Sequence, residues 1–352
     1  MTSEPPLRIL QVCSASDMIY GAVQSLMVLA RAQREAGHSV EFITRQGKRF
    51  GSEVRDEGFT VHEIPARLKV DLVSILKMRR VIRAGKFDVV HTHLSTSSVN
   101  GCLAARAAGV PSVATVHGMS GKLSFLAAHH MIAVSKEIKN HLVAQGVKPE
   151  RISVVYNAYG AKAAQQARKP ESFPVLGTVA RVTPLKGIED AIRAVAILKE
   201  DFPNVTYCVV GDGNGLEACK ALAAELGIAD RVKFVGYRKD IETYLAQMDL
   251  FVFPSLKEGM GIALVEAMAN GLATVATKVG GIPEVITPDC GILVPPQSQT
   301  DLAKAISALL HDKDMREAME AAAKHRAETV FGVEAMRLAT DQVYRNLIKS
   351  RT

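Results

Sequence analysis

The chain has 352 residues, of which 48% are hydrophobic and 22% charged. This length exceeds one average core and predicts two domains of roughly 150 residues each, and the composition excludes an intrinsically disordered chain. The formal net charge is +7, and residues 1–170 hold 23 Lys and Arg against 12 Asp and Glu. A basic half suits nucleic acid, an anionic membrane surface or an acidic substrate, and charge alone does not choose among them.

Cysteine spacing and hydropathy indicate the cellular compartment in which the protein works. The five cysteines are widely spaced and form no C-x-x-C pair, so the sequence suggests neither a zinc site nor a disulfide framework. Residues 1–7 contain no apolar core of a secretory leader, and no stretch reaches the roughly 18 apolar residues of a membrane span. We therefore expect a cytoplasmic protein.

Short apolar runs alternate with amphipathic stretches along the first half. The predicted strands are 7–13, 39–44, 61–64, 89–93, 112–117, 131–134 and 152–156, and the first predicted helix is 22–36. Strands that alternate with helical segments indicate parallel β-α-β units and a doubly wound sheet.

The second half repeats this pattern. Its predicted strands are 175–180, 205–211, 232–235, 250–254, 274–276 and 291–294, with helices such as 188–199 and 215–226. Residues 161–173 lack strand character and carry a proline, which predicts a linker there. The predicted domains are 1–165 and 171–330, and a last helix at about 333–352 is expected to pack back on the first domain.

The segment 253–271, FPSLKEGMGIALVEAMANG, carries the clearest chemical signal. A strand delivers Glu258 into a loop, where Gly259 and Gly261 let backbone N–H groups approach a ligand as a helix begins near Ile262. Such N–H groups suit phosphate or sugar oxygens.

Glu266 lies about one turn inside the same predicted helix. A carboxylate at this place can accept hydrogen bonds from both hydroxyls of a ribose. The alternative is a charge near a helix N-terminus together with a solvated glutamate.

This segment resembles the glutamate-containing signature of the retaining glycosyltransferases of family 4, which have the GT-B fold. In that family the first glutamate contacts the donor sugar and the second binds the ribose, which implies these roles for Glu258 and Glu266. Met260 stands where the family usually has phenylalanine, a difference of packing. The resemblance implies two Rossmann-like domains that face each other across a cleft.

Upstream, the segment 177–187, GTVARVTPLKG, resembles the family motif whose arginine and lysine hold the donor diphosphate. Arg181 and Lys186 stand at the matching spacing, although Ala180 replaces the usual glycine. Two cations suit a leaving diphosphate on which negative charge accumulates. The alternative is that both are ordinary loop charges.

Further matches occur in family order in the first half. AGHSV at 36–40, DVVHTH at 88–93 and TVHG at 115–118 belong to this series, and His117 matches the histidine that faces the donor sugar. His91 and His93 are interpreted as scaffold at a strand end. Ser135 is expected to cap the helix that follows it, and Asp312 to begin a helix and not to bind a metal.

The resemblance thus gives two sets of site residues. The residues assigned to catalysis are Arg181, Lys186, Glu258 and His117. The residues assigned to donor binding are Gly21, Gly211, Tyr237, Gly259, Met260, Gly261, Ile262 and Glu266. No metal ligand and no cofactor is assigned, because the nucleotide-sugar is itself the substrate.

These matches imply retaining, metal-independent transfer of a hexose from a nucleotide-sugar, with a UDP-sugar as the first guess, to a glycan or glycolipid acceptor. Arg181, Lys186 and the N–H groups near Gly21 and Gly261 would stabilise the departing diphosphate. Two alternatives stay open: an epimerase or phosphorylase of the same fold, and a catalytically silent nucleotide-sugar-binding protein.

The basic residues of the first half cluster around an amphipathic stretch at 72–84. They are Lys69, Lys77, Arg79, Arg80, Arg83 and Lys86, and the apolar residues among them are Leu72, Val73, Ile75, Leu76 and Met78. This pattern predicts either a helix on the inner face of the cytoplasmic membrane or an ordinary solvated helix face. Nucleic acid is not expected, because no aromatic residues interleave the charges.

Overall fold

The computed structural model describes residues 5–18, 21–66, 68–160 and 174–351. It divides into two compact units. Unit 1 comprises Met1–Gly160 and Gly332–Thr352, and unit 2 comprises Ala161–Phe331. The predicted linker at 161–173 lies outside the described residues.

Unit 1 alternates strands and helices from its first strand onward. Its elements up to residue 160 are β1 (Arg8–Cys13), α1 (Gly21–Glu35), β2 (Ser39–Arg45), α2 (Arg49–Asp56), β3 (Thr60–Ile64), α3 (Leu72–Gly85), β4 (Val89–His93), α4 (Ser95–Ala108), β5 (Ser112–Val116), β6 (His130–Ala133), α5 (Lys136–Ala144) and β7 (Ile152–Val154). The seven strands form one sheet in the order β3-β2-β1-β4-β5-β6-β7, and all the pairings are parallel.

Unit 2 has the same architecture. Its elements are β8 (Val175–Val179), α6 (Ile188–Leu198), β9 (Thr206–Val210), α7 (Leu216–Glu225), β10 (Val232–Gly236), α8 (Ile241–Leu245), β11 (Leu250–Phe253), α9 (Ile262–Ala269), β12 (Thr274–Thr277), α10 (Ile282–Val285), β13 (Gly291–Val294), α11 (Gln299–His311) and α12 (Lys313–Val330). The parallel sheet has the order β10-β9-β8-β11-β12-β13. This is the doubly wound order of a Rossmann-like domain.

After unit 2 the chain returns to unit 1 as a last helix, α13 (Val333–Lys349), which packs on α1. Its residues Met336 and Tyr344 are buried in the same apolar cluster as Leu26 and Ile9. A second cluster in unit 1 joins β1 and β2 to α3 and α4, so helices cover both faces of the sheet. The first unit therefore needs residues from both ends of the sequence.

Local signals in the sequence set several element boundaries. Ser135 accepts a hydrogen bond from the Ile138 N–H at 3.2 Å, and Asp312 accepts one from Met315 at 2.8 Å, which confirms both predicted N-caps. Helix α2 was not predicted, because only Phe50 and Val54 mark its buried face. Two apolar residues four positions apart are too short a pattern to indicate a helix.

Candidate active site

The residues of unit 2 that are assigned to catalysis follow two neighbouring strands. Arg181 and Lys186 come after β8, and Glu258 comes after β11. The chain winds from β8 outward in one direction and from β11 in the other, so the space above these two strands is the switch point of the sheet. Ligands of doubly wound domains bind outside the carboxyl ends of the strands at such a point.

Lys186 and Glu258 form an ion pair between the Lys186 ammonium and Oε1 of Glu258. Ser255 donates a hydrogen bond to the same carboxylate oxygen at 3.1 Å, and the Lys186 ammonium lies 5.8 Å from the ring centre of Phe253. Both charged side chains are largely shielded from solvent. Two residues far apart in sequence are thus held together as a compact charged pair.

The loops that carry this pair are packed backbone against backbone. The Leu256 N–H donates to the Leu185 carbonyl at 2.9 Å, which joins the loop after β11 to the short 3₁₀ helix Pro184–Lys186. Gly187 has a φ of +61°, and a Cβ there would stand 2.0 Å from the carbonyl oxygen of Pro254. Only glycine allows this approach, so the sequence pattern K-G after β8 has a steric reason.

Helix α9 begins at Ile262, four residues after Glu258. Its N-cap, Gly261, has a φ of +90°, and a Cβ there would lie 3.1 Å from the Phe253 ring. The N–H groups of Ile262 and Ala263 have no acceptor within the helix, whereas those of Leu264 and Val265 donate to the Gly261 carbonyl. The two unpaired groups make this end suited to an anion. The Met260 side chain is buried, so a ligand would meet the backbone of that residue.

Glu266 lies within α9 and is partly buried. Burial, together with the nearby Glu242, raises the pKa of Glu266 to about 7. Among the described residues, no side chain donates a hydrogen bond to this carboxylate. A ligand with two adjacent hydroxyls would supply the donors that the ionised form requires.

The remaining predicted site residues of unit 2 differ in their exposure to solvent. Arg181 and Tyr237 are exposed. Gly211 has a φ of +142°, and a Cβ there would stand 1.8 Å from the carbonyl oxygen of Ala180, so close packing of two loops already requires glycine. Their assignment to donor binding stays a prediction.

In unit 1, His117 follows β5 and lies beside His93 at the end of β4. Nδ1 of His93 and Nε2 of His117 are 3.3 Å apart, and both residues line a small cavity of about 20 Å³. Nδ1 of His117 is buried and has no hydrogen-bond partner among the described residues. Gly21, the other predicted residue of unit 1, is the first residue of α1.

Burial keeps the histidines of this cluster neutral. It lowers the pKa of His117 to about 4 and that of His91 to about 3, and it lowers the pKa of His93 well below its ordinary value. Mutual repulsion among the three rings adds to the shifts of His91 and His93. Near pH 7, therefore, His117 offers one N–H donor and one lone pair and carries no charge.

His93 takes part in a series of buried hydrogen bonds. His93 Nε2 lies 3.0 Å from Oε1 of Gln11, Gln11 donates to Gln33 at 3.1 Å, and Gln33 donates to Asp341 at 3.1 Å. The interpretation of His93 as simple scaffold missed this connection. No spacing in the sequence links Gln11, Gln33 and Asp341, because they lie on three separate elements.

Within 5–18, 21–66, 68–160 and 174–351, no group of three or more His, Cys, Asp or Glu is arranged to hold a metal ion. No helix in those ranges combines the length and apolarity needed to cross a bilayer.

Comparison with known proteins places the chain in a family. The model for Glycosyltransferase Family 4 matches residues 19–159, and the model for Glycosyl transferases group 1 matches residues 161–326. D-inositol 3-phosphate glycosyltransferase of Streptomyces scabiei is 30% identical over 333 residues, covering 82% of this chain and 74% of that protein. The gpi3 subunit of phosphatidylinositol N-acetylglucosaminyltransferase of Schizosaccharomyces pombe is 27% identical, covering 83% of this chain and 70% of that protein.

A solved structure shows the same fold. Anabaena HepE in complex with UDP superposes with a TM-score of 0.85 at 22% identity, covering 97% of this chain and 100% of that one. The two Rossmann-like parallel-sheet units are those of the GT-B architecture, as the sequence resemblance implied. The chain belongs to glycosyltransferase family 4, and it is a glycosyltransferase.

Proposed function

We propose that this glycosyltransferase transfers a hexose from a UDP-sugar, with retention of anomeric configuration and without a metal ion, to a hydroxyl of a phosphate-bearing acceptor. The observation that carries the proposal is the contact of Lys186 with Glu258 at the switch point of the second sheet. In a retaining transfer, a cation there would stabilise the leaving diphosphate, and the carboxylate would hold the sugar.

The α9 N-terminus and Glu266 support a nucleotide-sugar donor. Unpaired N–H groups suit the diphosphate. A carboxylate that receives no side-chain hydrogen bond from any residue the structure describes suits the ribose hydroxyls. UDP is the nucleotide in the HepE complex, which supports uracil as the base. His117, as the family resemblance implies, would bind a hydroxyl of the transferred sugar.

Two observations support a phosphate-bearing acceptor: the names of two relatives, and the positive charge of the first 170 residues. The Streptomyces scabiei and Schizosaccharomyces pombe relatives are named for inositol 3-phosphate and phosphatidylinositol. The first 170 residues, moreover, carry the basic surplus of the chain. An acceptor that bears a phosphate is attracted to such a surface.

A lipid-linked acceptor is supported by α3. Ile75 and Met78 pack into the core of unit 1, whereas Leu72, Val73 and Leu76 are 69%, 59% and 54% exposed. Leu68 and Val70, just before the helix, are exposed too, and Lys69, Lys77, Arg80, Arg83 and Lys86 are exposed among and after them. Exposed apolar residues next to lysine and arginine suit the surface of an anionic bilayer.

Donor and acceptor panels test this function. The melting temperature is compared in the presence of UDP, ADP and GDP. A ligand that binds only the folded state raises it, so the nucleotide with the largest rise identifies the base. Turnover of UDP-glucose and UDP-N-acetylglucosamine is then measured with inositol phosphate and with phosphatidylinositol vesicles. Donor turnover without a new glycoside would support an epimerase or phosphorylase, and binding without turnover a silent binding protein.

A further inference from the structure

A line of buried polar side chains crosses unit 1 from helix α13 to the ring of His117. It runs from Asp341 through Gln33 on α1 and Gln11 on β1 to His93 on β4. Gln11 and Gln33 are fully buried, and Asp341 and His93 nearly so. Buried polar groups of this kind are costly unless each is satisfied, so the direction of every hydrogen bond matters.

The direction is set at Asp341, because a carboxylate can only accept. Arg337 donates to its Oδ2 at 2.6 Å, and Nε2 of His38 lies 3.1 Å from the same oxygen. Nδ1 of His38 accepts the Leu7 N–H, so His38 must be the donor toward Asp341. These contacts stabilise the negative charge and leave Oδ1 to accept from Gln33.

Each following step has one possible direction. Gln33 must turn its NH₂ group to Asp341, so its oxygen accepts the NH₂ of Gln11. The oxygen of Gln11 then faces Nε2 of His93, which must carry the proton. A neutral imidazole with a proton on Nε2 has a lone pair on Nδ1, and there His93 accepts the Nε2–H of His117.

His117 is thereby left with a lone pair on Nδ1, the nitrogen that is buried without a partner among the described residues. The cavity beside His117 and His93 has room for about one water-sized group. A hydroxyl has that size and can donate a hydrogen bond. A carbonyl or phosphate oxygen cannot donate, and an ammonium group would lose its charge-stabilising water there.

We propose that Asp341 is a positioning residue, which acts through Gln33, Gln11 and His93 to keep Nδ1 of His117 as an acceptor for a hydroxyl of the transferred sugar. This proposal rests on the proposed function for its ligand, but the tautomer itself does not depend on any ligand. The last helix of the chain therefore sets the hydrogen-bonding character of a residue at the end of β5.

The direct test is the histidine tautomer in the full chain, measured by long-range ¹H–¹⁵N correlation spectra of ¹⁵N-histidine-labelled protein without nucleotide. We expect the proton on Nε2 of both His93 and His117. Asp341→Asn keeps the shape, but Arg337 and His38 both donate to the Oδ2 position, so the amide oxygen must stand there and the NH₂ group must face Gln33. Every hydrogen bond of the series is then reversed, and we expect the proton of His117 to move to Nδ1. A proton on Nδ1 of His117 in the unmodified protein would overturn the proposal.

Two further variants separate this effect from general destabilisation. Gln11→Met removes the acceptor for His93 but keeps Asp341 and its ion pair, and without a directing partner His117 should show a mixture of tautomers. Arg337→Gln weakens the attachment of α13 but keeps the carboxylate, so the melting temperature should fall while the tautomer stays. If Asp341→Asn and Gln11→Met both retain a single Nε2–H tautomer at His117, the relay has no directing role.

The third measurement is kcat of the unmodified protein and of the variants, with UDP-glucose and UDP-N-acetylglucosamine as donors. Asp341→Asn and Gln11→Met should lower kcat about tenfold, the effect of one lost hydrogen bond, with unchanged affinity for UDP. Unchanged kcat with altered tautomers would overturn the link to the sugar. Absence of any turnover by the unmodified protein would instead refute the proposed function, and the tautomer spectra would still decide whether Asp341 directs His117.

Discussion

Gly280 lies directly against the backbone of Glu258: a Cβ at position 280 would stand 1.9 Å from the Glu258 carbonyl oxygen, and Gly280 has a φ of +52°. The loop after β12 thus supports the loop that carries the Glu258 carboxylate. From the other side, Gly187 packs against Pro254 in the same loop. The position of the carboxylate is therefore determined by two backbone contacts that admit no side chain.

We expect Gly280→Ala to slow transfer by roughly a hundredfold, because the new methyl group must displace the Glu258 loop by about 1 Å. Gly227→Ala is the matched control, since Gly227 has a φ of +64° and open space around it. Both variants should lose about 1 kcal/mol from the left-handed backbone conformation. Equal turnover in the two variants would show that the Gly280 contact does not position Glu258.

Arg181→Ala and Lys186→Ala should each reduce turnover by about a hundredfold or more, if they stabilise charge on the leaving diphosphate. The binding of uridine, which has no phosphate, should barely change. Lys257→Ala is the control, because Lys257 is an exposed cation in the same loop as Glu258. Turnover near that of the unmodified enzyme in both variants would mean that the diphosphate assignment is wrong. Addition of a chelator should leave the unmodified enzyme unaffected.

Substitution of Glu266 and substitution of Glu258 should affect different quantities, UDP affinity and the rate of transfer. Glu266→Ala is expected to weaken UDP binding through loss of the ribose acceptor, whereas Glu258→Ala should leave UDP affinity unchanged and slow transfer. Titration calorimetry with UDP and initial rates measure the two quantities. Unchanged UDP affinity in the Glu266 variant would rule out the ribose assignment.

Because its pKa is raised, Glu266 should give UDP affinity and the stability of the fold opposite dependences on pH. Its pKa in the folded protein is about 7, above the value of 4.5 for the free side chain, so the free energy of unfolding falls as pH rises between these values. Ribose hydroxyls require the ionised form, so UDP affinity should rise with pH through about 7. Glu266→Gln should abolish this rise and should melt higher than the unmodified protein at about pH 8, with a smaller difference near pH 5.

Binding of α3 to a bilayer is tested by co-sedimentation with anionic and neutral vesicles at low and high salt. We expect salt-sensitive binding to anionic vesicles only, since each nearby Lys or Arg contributes about 1 kcal/mol. Substitution of Lys77, Arg80 and Arg83 by Gln should abolish it, and substitution of Leu72, Val73 and Leu76 by Ser should weaken it. Arg79 is left unchanged in the variants, because it donates to the Ala107 carbonyl at 3.0 Å. Absence of binding under every condition points to a soluble acceptor.

The order of elements could be predicted from the sequence because alternating apolar and amphipathic runs directly encode parallel β-α-β units. Two short motifs identified Lys186 and Glu258 separately, but the contact between the two side chains is visible only in the folded protein. The relay from Asp341 to His117 could not be predicted. Its members lie on separate elements and pair only through the folded sheet, and buried glutamines have no periodic pattern that distinguishes them from surface ones.

Helix α13 has a consequence for how the chain folds as it leaves the ribosome. Unit 2 is continuous in sequence, so it can fold as soon as residue 331 has emerged, whereas unit 1 must wait for Val333–Lys349. At about 5–20 residues per second, synthesis of unit 2 delays that closure by roughly 10 to 30 s. During this interval the side of α1 that later receives α13 is uncovered, and Gln33 and His91 lack their partners Asp341 and Tyr344. The nascent first unit therefore exposes apolar surface that Met336, Val343 and Tyr344 of α13 cover in the folded protein.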